Sequence, residues 1–206
     1  MIAITTKPLR IALTGRMRSG KSFIADYIQY KYGFDRVSFA AGLKRVSDDL
    51  FAHLYEPIYE DCPFSDDGKH RVGYRKPRAI LQAVGQKMRE IDEDVWIKQA
   101  EQTMRVYENL RSTKGVVIDD LRQPNEYEWT RANGFIIIRV EASEDLRLKR
   151  AEQAGDSFSE EDLAHDTEQH AEGFSVDYTI VNDGDLDDLK RQVDEIMSEI
   201  KAKGGR

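Results

Sequence analysis

Five apolar, β-branched runs punctuate the chain: RIALT (10–14), RVSFA (36–40), GVVID (115–119), GFIIIRV (134–140) and DYTIV (177–181). Their continuous apolar character, in place of strict alternation, is the pattern of strands covered by helices on both faces. The intervening segments carry helical spacing. Residues 21–32 follow the first run, and 42–54 set Leu43, Val46, Leu50 and Leu54 on one face. Residues 77–91 open with Pro77, a favoured first helical residue, and carry Ile80, Leu81, Val84, Met88 and Ile91 at helical spacing. Residues 94–112 predict another long helix, and 186–200 repeat Leu186, Leu189, Val193, Ile196, Met197 and Ile200 as a face for packing on a sheet. Strands alternating with helices predict an α/β protein with a mainly parallel sheet. The stretch 55–76, YEPIYEDCPFSDDGKHRVGYRK, mixes Pro, Gly, Asp and clustered bases and reads as a long functional or mobile loop. No repeat and no internal boundary divides the chain, so residues 1–206 are expected to form a single domain.

Composition narrows the function classes. A length of 206 residues suits one domain with a mobile insert. A formal charge of −7 argues against binding a nucleic-acid polymer or a membrane surface, so any anion site must be local. The single cysteine, Cys62, excludes an internal disulfide and a cysteine-based zinc cluster. The opening MIAITTKPLR lacks the apolar core of a signal peptide, and no run approaches the ~20 apolar residues of a membrane span, so a cytoplasmic location is expected.

The local anion site announces itself after the first strand. Gly15-Arg16-Met17-Arg18-Ser19-Gly20-Lys21-Ser22 fits G-x-x-x-x-G-K-[ST] between a strand and a helix. Glycines let the backbone wrap a phosphate with its N–H groups, and the helix N-terminus adds partial positive charge. Lys21 is expected to reach the β- and γ-phosphates of a nucleoside triphosphate, and Ser22 to ligate Mg²⁺. Arg16 and Arg18 are expected to surround the same phosphates, unless either points instead at the group that receives the phosphoryl.

A second acidic motif ends the third apolar run. In GVVIDDLRQPNE (115–126) a buried strand finishes in Asp119 and Asp120, and an acid there is the usual partner of hydrated magnesium. Either aspartate can serve, the other capping the next segment. Arg122 comes two residues after Asp120, and a helix is expected to begin at Pro124.

Taken together, GRMRSGKS, SFAAGLKRVSDDLF, PRAILQAVGQKMREIDEDVW, VVIDDLRQPNE and VDYTIVNDGDLDDL resemble the deoxynucleoside monophosphate kinases of phages and prophages, in the family's order and across nearly the whole chain. The most specific segments are R-x-x-L-Q-x-x-G, from Arg78 to Gly85, and D-x-R-x-x-N-E, from Asp120 to Glu126. The first and last pieces also resemble dephospho-coenzyme A kinases. The resemblance implies a P-loop kinase fold with a five-stranded parallel sheet in the order 2-3-1-4-5, a monophosphate-binding region and a lid. It implies ATP as phosphoryl donor, Mg²⁺, and a deoxynucleoside 5′-monophosphate as acceptor. By the same resemblance Lys44 and Arg78 would hold the acceptor phosphate. Gln82 and Gln86, one turn apart, would face its base, although an exposed polar stripe has the same spacing. Trp96 would wall the acceptor site or be ordinary core. Asp120 and Arg122 would line the cleft between the phosphates.

In the lid region, about 143–173, Arg147 and Arg150 share a helical face and are the candidates for closing over the transferring group. His165 and His170 are read as surface residues. Asn182-Asp183-Gly184 falls where such kinases contact adenine, and is equally a turn before a helix capped by Asp185. An acceptor that is already an anion needs no general base. A small alcohol acceptor, such as dephospho-coenzyme A, would need one, and Asp35 and Asp48 are only loosely placed for that task. A nucleotide-switched binding module without transfer is the reading from another class. A homodimer is compatible with the sequence, though no helix face is conspicuously spare.

Overall fold

The computed structural model describes residues 8–60, 71–75, 78–109, 113–153 and 171–204. The most apolar strands take the middle of the sheet. In β1 (Leu9–Thr14) Ile11, Ala12, Leu13 and Thr14 are fully buried, and so are Val116, Val117 and Ile118 of β5 (Gly115–Ile118). These two pair in parallel, flanked by β2 (Asp35–Val37) beyond β5, and by β6 (Ile136–Glu141) and β7 (Tyr178–Val181) beyond β1. The resulting order, β2-β5-β1-β6-β7, is 2-3-1-4-5 when the five strands are counted along the chain, as the resemblance implied. Gly115 opens β5 because a Cβ there would lie 2.5 Å from both the Leu9 carbonyl oxygen and the Phe34 ring.

Two compact units make up the chain, Met1–Phe39 with Ala100–Arg206, and Ala40–Gln99. The first holds the sheet with α1 (Lys21–Tyr32), α5 (Pro124–Ala132), α6 (Glu144–Gln153) and α7 (Leu186–Gly204). The second holds α2 (Ala40–Phe51), a 3-10 turn (Ala52–Leu54), β3 (Glu56–Glu60), β4 (Arg71–Arg75), α3 (Arg78–Ile91) and the start of α4 (Val95–Asn109). The segment read as one long loop over 55–76 therefore contains an antiparallel ribbon, registered from Glu56↔Arg75 to Glu60↔Arg71. Pro57 and Gly73 disguised its strands, yet in a two-stranded ribbon each strand is an edge, where such residues are tolerated. Cys62, and Lys69 and His70 at the start of the basic run, lie outside the described residues. The run expected over 36–40 ends as a strand at Val37, and helix begins at Ala40, because Asp120 accepts hydrogen bonds from Ser38 Oγ (2.6 Å) and the Phe39 N–H (3.0 Å).

In α7 the expected face is realised by Leu189, Val193, Met197 and Ile200, all buried against the sheet, whereas Leu186 in its first turn is 57% exposed. Helix α1 buries Ile24, Ala25 and Ile28 in the same core and stops at Gly33, whose left-handed backbone (φ 70°) closes on Gln29 O. A polar pin joins α1 to α7. Asp194 accepts from Lys31 Nζ (2.6 Å), Tyr32 Oη (2.6 Å) and Tyr27 Oη (3.1 Å). Burial works against the Asp194 charge, but these three donors outweigh it and hold its carboxyl below the usual range. A depressed acid stabilises the fold above its unfolded pKa of about 3.9 and loses that contribution as pH falls through the folded value. Asp194→Asn is therefore expected to lower Tm at pH 7 by roughly 2–4 °C, about 1 kcal/mol for a pair this accessible. The two melting curves should converge in acid. An equal gap at pH 7 and pH 2 by calorimetry would assign the pin no electrostatic role.

Candidate active site

The loop after β1 is shaped by its glycines. Gly15 (φ +133°) passes so close to β6 that a Cβ would lie 2.2 Å from the Val140 carbonyl oxygen. Gly20 (φ +107°) caps α1 in the left-handed region, and Arg18 (φ 61°) also turns that way. Gly20 offers no side chain to cap α1 and no acid occupies the first turn, so the helix dipole there favours an anion. Lys21 is buried at the mouth of this loop, its Nζ on the carbonyls of Gly15 (2.6 Å) and Arg16 (2.7 Å). Asn182, at the end of β7, is buried beneath the loop and donates from Nδ2 to Ser19 O at 2.7 Å. It is thereby a positioning residue of the loop. Asp185 caps α7 as expected, accepting from the N–H groups of Asp187 and Asp188.

The two aspartates after β5 part company. Asp119 is buried, and its Oδ2 accepts from Ser22 Oγ at 3.2 Å. Asp120 points instead to Ser38 and Phe39. Sequence alone left this choice open. A serine hydroxyl beside a buried carboxylate is the hard-oxygen pair that fits Mg²⁺, which takes one or two protein ligands and draws the rest from water and phosphate. Among the described residues no cluster of three or more His, Cys, Asp or Glu offers an all-protein cage. The same Asp119 Oδ2 also receives the Arg36 guanidinium, whose Nη1 bonds Asp26 at 2.5 Å. Burial opposes the Arg36 charge, but Asp119 and Asp26 outweigh it and raise its pKa.

Arginines converge on the loop from α6. Arg147 is buried, with Nη1 3.5 Å from Met17 O and its Nε without a hydrogen-bond partner among the described residues. Arg150 donates to Arg18 O (3.3 Å) and Asn182 O (3.1 Å), and burial lowers its pKa against the pull of Asp183. Arg16 pairs with Glu172, and Arg139 Nη2 clasps the carbonyls of Ala171, Glu172 and Phe174. Arg16, Arg139, Glu141, Glu144 and Arg147 help to line a pocket of about 360 Å³ beside Gly15. Arg122 leaves β5 with no side-chain partner among the described residues. Its backbone is set by Glu126, a buried carboxylate that accepts from the N–H groups of Arg122 and Gln123, both at 3.0 Å. Glu126 went unnoticed as a site residue, although an acid three residues into a helix that opens with proline is a capping signal.

In the second unit Lys44 is exposed on α2, while its neighbour Arg45 bonds Gln99 (2.9 Å). Gln82 and Gln86 are both exposed on α3. Trp96 is buried in α4 and donates its indole N–H to Gly85 O at 3.4 Å. Gly85, the last residue of R-x-x-L-Q-x-x-G, has Leu43 where a Cβ would sit, at 3.2 Å. Arg78 is the first residue of α3, and its side chain lies outside the described residues. So do His165, His170 and the centre of the region expected as a lid. No helix among the described residues is long and apolar enough to cross a membrane.

With this geometry in view, comparisons with known proteins are specific about family. Residues 11–172 match the family described as an AAA domain (AAA_18). The ORF77 protein of Ictalurid herpesvirus 1 (strain Auburn) is 28% identical over 163 residues, 76% of this chain. The match spans 63% of that protein, less than two thirds of its length. Similar solved structures include TT1252 from Thermus thermophilus (TM-score 0.55, 18% identity, 94% of this chain and 98% of that one). A dephospho-CoA kinase from Campylobacter jejuni is similar too (0.54, 18%, 96% and 98%). So is a shikimate kinase from Acinetobacter baumannii (0.52, 14%, 96% and 95%). At such identities these structures share the fold.

Proposed function

The chain belongs to the AAA domain family, and from that footing we propose that it is an ATP- and Mg²⁺-dependent kinase of a small molecule, with a deoxynucleoside 5′-monophosphate as acceptor. The observation that carries the kinase reading is the glycine-capped start of α1 with Lys21 at the loop mouth and Ser22 against Asp119. The dephospho-CoA and shikimate kinases of similar fold support phosphoryl transfer to a small acceptor. The choice of acceptor rests on the segments from Arg78 to Gly85 and from Asp120 to Glu126.

In this reading an acceptor phosphate oxygen attacks the γ-phosphorus of ATP, the bond to the β-γ bridging oxygen breaks, and ADP leaves. The nucleophile is already anionic, so no side chain has to take a proton from it. Lys21 neutralises charge on the β- and γ-phosphates, while the α1 N-terminus binds the phosphate oxygens. Arg147 and Arg150 flank the donor side, and Arg122 stands ready for the acceptor phosphate. Ser22 and Asp119 would hold Mg²⁺, which when bound supplies charge neutralisation between the phosphates. Asp120 orders the segment after β2 from within the same acidic motif. Lys44, Arg78, Gln82 and Gln86 are the residues assigned to the acceptor in the second unit, with Trp96 supporting them from its core.

A coupled ADP-release assay tests this with Mg·ATP and dAMP, dCMP, dGMP, dTMP, the matching ribonucleotides and dephospho-coenzyme A. Fast release with one or more deoxynucleotides is expected. Activity on dephospho-coenzyme A alone would replace the acceptor, and ATP binding without any transfer would point to a nucleotide-switched module. The aspartates separate in the same assay. Asp119→Asn is expected to raise the Mg²⁺ concentration needed for half-maximal rate and to lower turnover by on the order of 10²-fold. Asp120→Ala should act mainly on stability, costing about 1–3 kcal/mol through the orphaned Phe39 N–H and Ser38 hydroxyl. The reverse pattern would exchange their roles.

A further inference from the structure

We propose that Arg36 is the resting counter-ion of the metal-binding carboxylate, so that the free protein holds a divalent cation weakly and takes it up together with the nucleotide. The inference rests on the reading of Ser22 and Asp119 as the cation's protein ligands. Its basis is one oxygen atom with two suitors. Asp119 Oδ2 accepts from Ser22 Oγ at 3.2 Å and also receives Arg36 Nη2.

Asp119 is only 7% exposed, and a carboxylate withdrawn from water to that degree needs a compensating positive charge. Arg36 supplies it when no cation is present. A hard cation seeks the same oxygen lone pairs, so binding to the free protein must displace or share the guanidinium.

The second partner of Arg36 makes that exchange feasible. Its Nη1 is held by Asp26 at 2.5 Å, and the Asp26 side chain is 59% exposed. Once a cation takes the Asp119 oxygen, Arg36 keeps a carboxylate partner at the protein surface and is not stranded as a buried, unpaired charge. Asp120 is the other acid nearby, and it is engaged by Ser38 Oγ and the Phe39 N–H. A cation that arrives alone adds positive charge beside Arg36. A cation that arrives on a triphosphate brings its own excess of negative charge. The penalty from Arg36 therefore falls mainly on nucleotide-free binding. Arg36 sits in β2, outside both the phosphate loop and the acidic motif, and acts through Asp119 as a positioning residue.

Manganese binding followed by electron paramagnetic resonance tests this without reference to turnover. Mn²⁺ is titrated into wild type, Arg36→Gln and Arg36→Lys, each with and without ATP. Without nucleotide, Arg36→Gln is expected to bind Mn²⁺ at least about tenfold more tightly than wild type, a 1.4 kcal/mol difference. Arg36→Lys keeps the charge but cannot span Asp26 and Asp119 at once, so its affinity should fall between those of wild type and Arg36→Gln. With ATP present the gap between wild type and Arg36→Gln should shrink below about threefold.

Equal nucleotide-free affinities in wild type and Arg36→Gln, with both binding Mn·ATP, overturn the inference and leave the site reading standing. Absence of Mn·ATP binding in wild type overturns the site reading, and this inference with it. Should Arg36→Gln fail to fold, the nitrogen-15 guanidinium resonance of Arg36 in the wild type decides. It is expected to move when ATP is followed by Mg²⁺, and to move far less with Mg²⁺ alone. An immobile resonance under saturating Mg·ATP overturns the proposal.

Discussion

Replacing Lys21 with methionine is expected to lower phosphoryl transfer by on the order of 10²–10³-fold while leaving the protein folded. The lysine stem is buried at the loop mouth, and methionine can fill that volume, so packing is conserved and the positive head is lost. That head bonds the carbonyls of Gly15 and Arg16, where a triphosphate would offer it better acceptors. Because charge builds on the phosphate oxygens in the transition state, the loss should fall chiefly on kcat, with a smaller rise in KM for ATP. Steady-state kinetics with circular dichroism as the fold control settles the matter. Turnover within threefold of wild type would remove Lys21 from the reaction.

Gly15→Ala is expected to damage both the fold and the site. Two independent faults add. The backbone at φ +133° lies where side chains are strained, and the new methyl would stand 2.2 Å from the Val140 carbonyl oxygen, a backbone atom that cannot rotate away. Strain and overpacking together cost on the order of 3–5 kcal/mol, and for a chain of this size Tm should fall by on the order of 10 °C. The loop must also swing off β6, so residual folded protein should bind ATP poorly. Gly134→Ala is the control: it shares a positive φ (71°), but among the described residues nothing lies within 4 Å of a Cβ there. It should lose only the backbone contribution, about 1 kcal/mol. Equal losses at the two positions would show that the contact with Val140 contributes nothing.

Much of this protein could be read without coordinates, for identifiable reasons. Strands buried on both faces must be apolar throughout, so RIALT and GVVID declared themselves and proved to be neighbouring interior strands. The phosphate loop was equally legible, because wrapping an anion with backbone N–H groups demands glycines and a basic residue at fixed spacing. Helix ends followed local chemistry, as at Pro124, where α5 begins, and Asp185, which caps α7. The ribbon from Glu56 to Arg75 escaped because its pairing is the signal, and Pro57 and Gly73 argue locally against strand. Leu186, apolar and in register with its helix, is nevertheless exposed, since periodicity does not say where a helix first meets the sheet.

What the sequence determined by itself is therefore whatever depends on neighbours along the chain: the alternation of elements, the sheet's buried character, the anion-binding loop and the acidic strand end. Which atoms from distant segments meet is set by the packing of the folded chain. Asp119 and Asp120 are adjacent and chemically identical, yet one faces Ser22 and the other Ser38. Arg36 looks like an ordinary strand residue until the pairing of β2 with β5 brings it to Asp119. Asn182 holds the phosphate loop from a turn more than 160 residues away. Each of these assignments turns on the direction of a side chain across a contact between segments distant along the chain, and no local pattern encodes that direction.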